Sequence, residues 1–227
     1  ITTREKIEQG YKYKVTVRGK NSGNFTLKLK ANSVLDKVGN KNEEVNSTNV
    51  KVVEMILGEK EIKLDLTGTN EKQIEISGTN IGNLSYESNN REVAIVTAEG
   101  IIRAVSPGVT TITVTEANSG ITTQIKVTVV KTLTAYFTKN GVGVSEIGSV
   151  REYCEVVDTT GECEITLPGI TTIDGYEVVG WGISKTATEG LKPTTKVTLT
   201  ENVIYYSISG KTLTATFNKN NALSLDG

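Results

Sequence analysis

Two side chains able to do redox or crosslinking chemistry stand close together in this chain. They are Cys154 and Cys163, in the stretch YCEVVDTTGECEITL. The stretch reads as strand, turn DTTG, strand. A two-residue loop at Asp158 and Thr159 sets the cysteines directly opposite each other, and a bulge at Gly161 shifts that by one. Both arrangements leave the β-carbons within disulfide reach. A bridge closing so short a loop adds about 2 kcal/mol. Two free thiols are the alternative; a redox-active pair fits poorly without C-x-x-C spacing. The other candidates are aromatic. Trp181 is the single Trp, and in YEVVGWGI it shares a strand face with Val179 and Ile183. It reads as a core ring or as a platform for a sugar. Tyr205 and Tyr206 are adjacent and point to opposite faces. Ile204, Tyr206 and Ile208 make the better buried face, which leaves Tyr205, beside Ser207, as the exposed ring. Trp181 and Tyr205 are therefore the candidate ligand-binding residues.

Little else in the chain carries chemistry. There is no His, which removes the commonest general base and metal ligand. Two Cys cannot make a four-thiolate site. The carboxylates of Glu43, Glu44, Glu59 and Glu61 fall in turns or on strand faces beside Lys, at ordinary solvated positions. No nucleophile elbow, phosphate-cradling loop or metal-ligand cluster appears. The expectation is no enzyme, no cofactor and no metal. Asp36, Gly39 and Asn40 in DKVGN read as turn residues, because a calcium site wants more carboxylates together. A self-formed Lys–Asn isopeptide crosslink beside a buried carboxylate is compatible with the composition, but no trio can be named. With 25 basic and 26 acidic residues the net charge is −1, which disfavours nucleic acid as a partner. The most apolar stretch, VVEMILG at 52–58, is short and holds Glu54, so no membrane span is expected.

The elements that position these residues are strands. Gly is frequent at 22 residues, Pro is rare at 3, and Thr, Val and Ile abound. Branched side chains suit a pleated surface. Apolar and polar residues alternate with period two along Tyr11–Arg18, Phe25–Lys30, Ile62–Leu66 and Ile121–Val129, the pattern of half-buried strands. Turn clusters such as GKNSGN, DKVGNKN, SGTNIGN and ANSG separate them. Short strands with turn signals at this spacing predict an all-β chain of immunoglobulin-like sandwiches and smaller β-rich modules. The 37% hydrophobic content suits small domains with thin cores. The decamer KTLTAYFTKN at 131–140 returns as KTLTATFNKN at 211–220, with eight of ten positions identical. This is array architecture. The expected modules are 1–55, a partial immunoglobulin-like β domain; 56–130; 131–210; and 211–227, the start of a further repeat. That last stub is expected to fray or to pair with a neighbouring sheet edge. Together with an N-terminal Ile1 and no signal peptide, the restart reads as a window from a longer modular chain.

Two resemblances refine this. In YESNNREVAIVTAEGIIRAVSPGVTTITV, Ser88 and Asn89 follow Tyr86, and then come Val93, Ala94 and Val96, Gly100, Ala104, Gly108 and Thr111-Ile112-Thr113. The order and spacing over residues 56–130 resemble the group 2 bacterial immunoglobulin-like domain, with Tyr86 where that family often has Trp. Gly175, Tyr176, Gly180, Trp181, Asn202 and Tyr206 resemble the Listeria–Bacteroides or internalin B-type repeat of Gram-positive surface proteins, whose modules are small, β-rich and grasp-like. The spacer SKTATEGLKPTT and the cysteines depart from it. Asp36, Gly39 and Asn40 also resemble the last turn of a bacterial immunoglobulin-like domain. These resemblances imply an extracellular, cell-surface segment that spaces or presents other domains in adhesion, and no catalytic residues. An oxidising location favours the Cys154–Cys163 disulfide over free thiols. The expected partners are neighbouring modules of the same chain, and glycans or host and matrix proteins if the segment itself binds.

Overall fold

In a computed structural model, the structure describes residues 3–7, 10–14, 21–140, 142–213 and 215. Most of the second decamer and the residues after it, for which fraying or edge pairing is expected, lie outside them. Among the described residues there are strands and turns and no helix, so the fold is all-β. The chain divides into two compact units. The first holds Ile1–Leu64, Glu71–Val105 and Thr110–Thr128; the second holds Asp65–Asn70, Ser106–Val109 and Val129–Gly227.

The first unit contains β1 (Thr3–Ile7), β2 (Gly10–Lys14), β3 (Gly23–Phe25), β4 (Lys28–Leu29), β5 (Val45–Asn46), β6 (Val50–Val52) and β7 (Glu54–Leu57). β8 (Glu61–Asp65), β9 (Glu71–Gln73), β10 (Ile76–Thr79), β11 (Leu84–Ser88), β12 (Ala94–Val96), β13 (Ile101–Ala104), β14 (Gly108–Glu116) and β15 (Thr122–Thr138) follow. β1 pairs antiparallel with β2. The early strands pair only in twos, β3 with β6, β4 with β5 and β7 with β10. None of the described residues 21–58 is buried, as expected for two-stranded ribbons without a covering layer.

The core of this unit begins at β8. One sheet runs β9–β13–β12; in another, β14 pairs with β11 and β15, and β8 adds to β15. Side chains alternate along β14, so Thr110, Ile112, Val114 and Glu116 all point inward. Leu64, Ile102, Ile125 and Val127 are buried too, each at most 1% exposed. Burying a side chain of this size is worth about 1.5–3 kcal/mol. The AEGI turn behaves as its glycine requires. Gly100 sits at φ +82°, and an added β-carbon would lie 2.8 Å from the Tyr86 ring. Only glycine meets both conditions without strain.

β15 begins in the first unit and ends in the second. The second unit adds β16 (Val144–Ile147), β17 (Arg151–Val156), β18 (Cys163–Thr166), β19 (Ile170–Thr172), β20 (Glu177–Gly182), β21 (Lys196–Leu199) and β22 (Val203–Gly210). β17 pairs antiparallel with the end of β15, while β22 pairs parallel with it, Phe137 facing Tyr205. β20 extends the sheet beyond β22. β18–β21 and β16–β19 are separate two-stranded sheets. Leu133, Ala135 and Phe137 of β15 project into one core with Val156, Leu167, Trp181, Leu199 and Tyr205.

Candidate functional site

Trp181 and Tyr205 both lie in that core. Trp181 is 1% exposed and Tyr205 6%. The Trp181 indole N–H donates to the Pro168 carbonyl at 2.8 Å, which satisfies its one polar atom. Its ring meets Phe137 edge-on, centroids 4.9 Å apart, and Phe137 stacks on Tyr205 at 5.6 Å. Such contacts add about 0.5–1.5 kcal/mol each beyond burial. Burial also pushes the Tyr205 hydroxyl above its ordinary pKa.

This corrects the expected faces of β22: Tyr205 is the inward ring, whereas Ile204 is exposed and Tyr206 half-buried. The polar neighbour Ser207 is buried as well, because its hydroxyl accepts the Asn140 N–H at 2.9 Å. A buried serine with a partner carries no penalty that would turn the strand over. Neither Trp181 nor Tyr205 presents a ring to a ligand from solvent. Ile183 does not share the face of Trp181 in the core either; β20 stops at Gly182 and Ile183 is exposed.

Cys154 and Cys163 are joined in a disulfide, with α-carbons 5.8 Å apart. The setting differs from the expected hairpin. Cys154 belongs to β17, where it faces Leu133 of β15. Cys163 belongs to β18, where it faces Leu199 of β21. The bridge therefore ties two sheets of one unit rather than two rungs of one ladder. The turn between them is set by Asp158, whose carboxylate accepts the Thr160 N–H at 2.9 Å.

Where β17 and β18 part, an open cleft of about 540 Å³ lies along their edges. Its lining includes Ser149, Glu152, Tyr153, Glu164, Thr166 and Pro168. The Tyr153 ring is 68% exposed. In the β15–β17 register Tyr153 faces Thr134 and Arg151 faces Tyr136, so Tyr153 and Tyr136 are diagonal neighbours. Tyr136 is 47% exposed. Diagonal pairs of this kind stand about 7–8 Å apart. Ile204, the parallel partner of Tyr136, continues the exposed row. Glu164 pairs with Lys196 at 2.7 Å and holds that ammonium above its usual pKa. The alternation L-A-F inward, T-Y-T outward in TLTAYFT was the signal for Tyr136, and the alternation in REYCEV, which turns Cys154 and Val156 toward the core, was the signal for Tyr153.

Two other polar arrangements serve the fold. Asp36 accepts the backbone N–H groups of Val38 and Asn40, at 2.9 and 2.8 Å, and the Asn40 side-chain amide at 2.9 Å. The Asn40 bonds hold this carboxyl below its ordinary pKa. Sequence reasoning missed Glu116, the inward residue at the end of β14. It is fully buried and accepts from the Ser119 hydroxyl and N–H, the Gly82 N–H and the Asn118 amide. The Ser119 bonds hold its carboxyl below the ordinary value. Those four donors fasten the Asn83 and ANSG turns to one strand end, and none is a lysine. Among the described residues no group of three or more acidic, Cys or His side chains is placed to hold a metal ion, and no helix is long and apolar enough to cross a membrane.

Comparison with known families finds one match, over part of the chain. Residues 59–129 match the family model of the bacterial Ig-like domain (group 2). The matched stretch takes in β8 and runs into β15, and it contains the alternating buried set described above. Among solved structures, domains 4 and 5 of the S-layer protein SbsC align at 17% identity and TM-score 0.29, covering 56% of this chain and 80% of that one. Domains 4–9 of surface layer protein SbsC align at 13% identity and TM-score 0.31, covering 81% and 36%. The EC1–4 segment of PcdhgB3 aligns at 9% identity and TM-score 0.28, covering 94% and 64%. No curated protein matches the chain.

Proposed function

We propose that this chain is a non-catalytic spacer segment of a bacterial cell-surface protein, which holds other domains away from the cell, in adhesion. The observation that carries the reading is the bacterial Ig-like domain at residues 59–129. Its alternating strands bury one apolar face, so its residues serve packing. The disulfide fits an oxidising, extracellular location.

The second unit is read as a grasp-like surface repeat of the internalin B type. Its first and last strands, β15 and β22, pair in parallel, which requires the long crossover that the intervening residues supply. Its opening decamer recurs eighty residues later, as a tandem array requires. Its neighbours in the parent chain are then its principal partners.

The test is labelling of intact cells of the source organism with antibodies raised against this segment. Surface labelling that is removed by mild proteolysis of whole cells supports the reading. Labelling only after the cells are broken open overturns it.

A further inference from the structure

We infer that the cleft between β17 and β18, with Tyr153 at its rim and Tyr136 beside that ring on the sheet, is a binding site for a neutral, polyhydroxylated saccharide. The inference rests on three features of the second unit. First, Tyr153 is 68% exposed and Tyr136 47%. They are diagonal neighbours on one face of one sheet, held by the β15–β17 register. A large exposed aromatic pair on a sheet whose other face holds the core is an unusual use of surface. Two rings separated by about 7–8 Å offer flat apolar faces to successive sugar rings, whose C–H faces are apolar while their edges are polar.

Second, Tyr153 also lines the shallow, open cleft. Its volume of about 540 Å³ falls within the range of small-molecule sites. Third, the polar groups of the cleft are acceptors and hydroxyls. Glu152 and Glu164 contribute carboxylates, and Ser149 and Thr166 contribute hydroxyl groups. An ionised carboxylate accepts two O–H donors side by side, which matches vicinal hydroxyls on a pyranose. Glu164 accepts the Lys196 ammonium on Oε1, so an incoming hydroxyl there joins a donor already present. Lys196 offsets the charge of Glu164, so Glu152 is the carboxylate that disfavours an anionic sugar. The site therefore selects a neutral saccharide over a uronate or sialate.

This goes beyond the spacer reading, which survives if it fails. The test is isothermal titration of the full chain with cellohexaose, maltohexaose, mannohexaose and chitohexaose, against a galacturonate hexamer as the anionic probe. At least one neutral oligosaccharide is expected to bind, and the galacturonate hexamer is not. Tyr153→Ala and Tyr136→Ala, both at exposed positions, should each weaken that binding about tenfold or more, with circular dichroism and melting unchanged. Tyr153→Phe should retain it, and Glu152→Lys should raise affinity for the galacturonate hexamer. Three results overturn the inference: no neutral oligosaccharide binds the full chain; one binds with equal affinity to both alanine variants; or the uronate binds the unmodified chain more tightly.

Discussion

Trp181 reports directly on the core of the second unit, because it is the only tryptophan and is 1% exposed. Its fluorescence should be blue-shifted and shielded from iodide in the folded chain. Trp181→Ala removes a full ring and leaves a cavity against Phe137, at a cost of about 3–5 kcal/mol in denaturant unfolding. Unchanged stability would contradict the placement. Glu116 has a different signature. Its carboxyl is held below 4.5 by the Ser119 bonds, so the folded state binds the proton less readily than the unfolded one. The sign follows: its contribution to stability is complete above pH 4.5 and is lost as pH falls through 4.5 toward the folded value. Glu116→Gln should lower stability at neutral pH and flatten the acid limb of a melting-temperature profile. A parallel profile would count against this account. At this scale Trp181 was legible as a core ring, and Tyr205 was misread. Both faces of β22 mix apolar and polar residues, and the choice depended on partners distant in sequence: Phe137 stacked on Tyr205 and Asn140 satisfying Ser207.

Among the elements, period-two alternation carried most of what could be read. β14 and β15 place their apolar residues inward as their patterns require, and the Gly100 turn forms where AEGI predicted it. What could not be read is which strand pairs with which. The cysteine stretch looked like one hairpin, yet β17 joins β15 and β18 joins β21. The disulfide then does what a hydrogen-bonded ladder would otherwise do, by tying the two strands across a gap. Cys154→Ser with Cys163→Ser, or reduction, should cost about 2–3 kcal/mol for the loop closed by nine residues of separation. A melting temperature indifferent to reductant would show that the tie contributes nothing. β20 offers a backbone test. Gly180 sits at φ +147°, and an added β-carbon would lie 2.3 Å from the Leu191 carbonyl oxygen. Gly180→Ala should destabilise the second unit more than Gly169→Ala, where the added atom meets nothing within 4 Å. Equal melting temperatures for the two variants would refute the close approach.

For the molecule as a whole, the spacer reading depends on modules that keep their tertiary structure under load. Each unit has its own core and its own stabilising device, Glu116 in the first and the Cys154–Cys163 bridge in the second. The most direct measurement is single-molecule stretching of the chain between handles at its two ends. The account predicts discrete unfolding steps. It also predicts that reductant lengthens the second unit's step by about 2.5 nm, the extended length of the nine-residue span less the 5.8 Å that the bridged α-carbons already cover. Featureless extension with no steps, the same with and without reductant, would contradict the claim that this segment is a folded spacer.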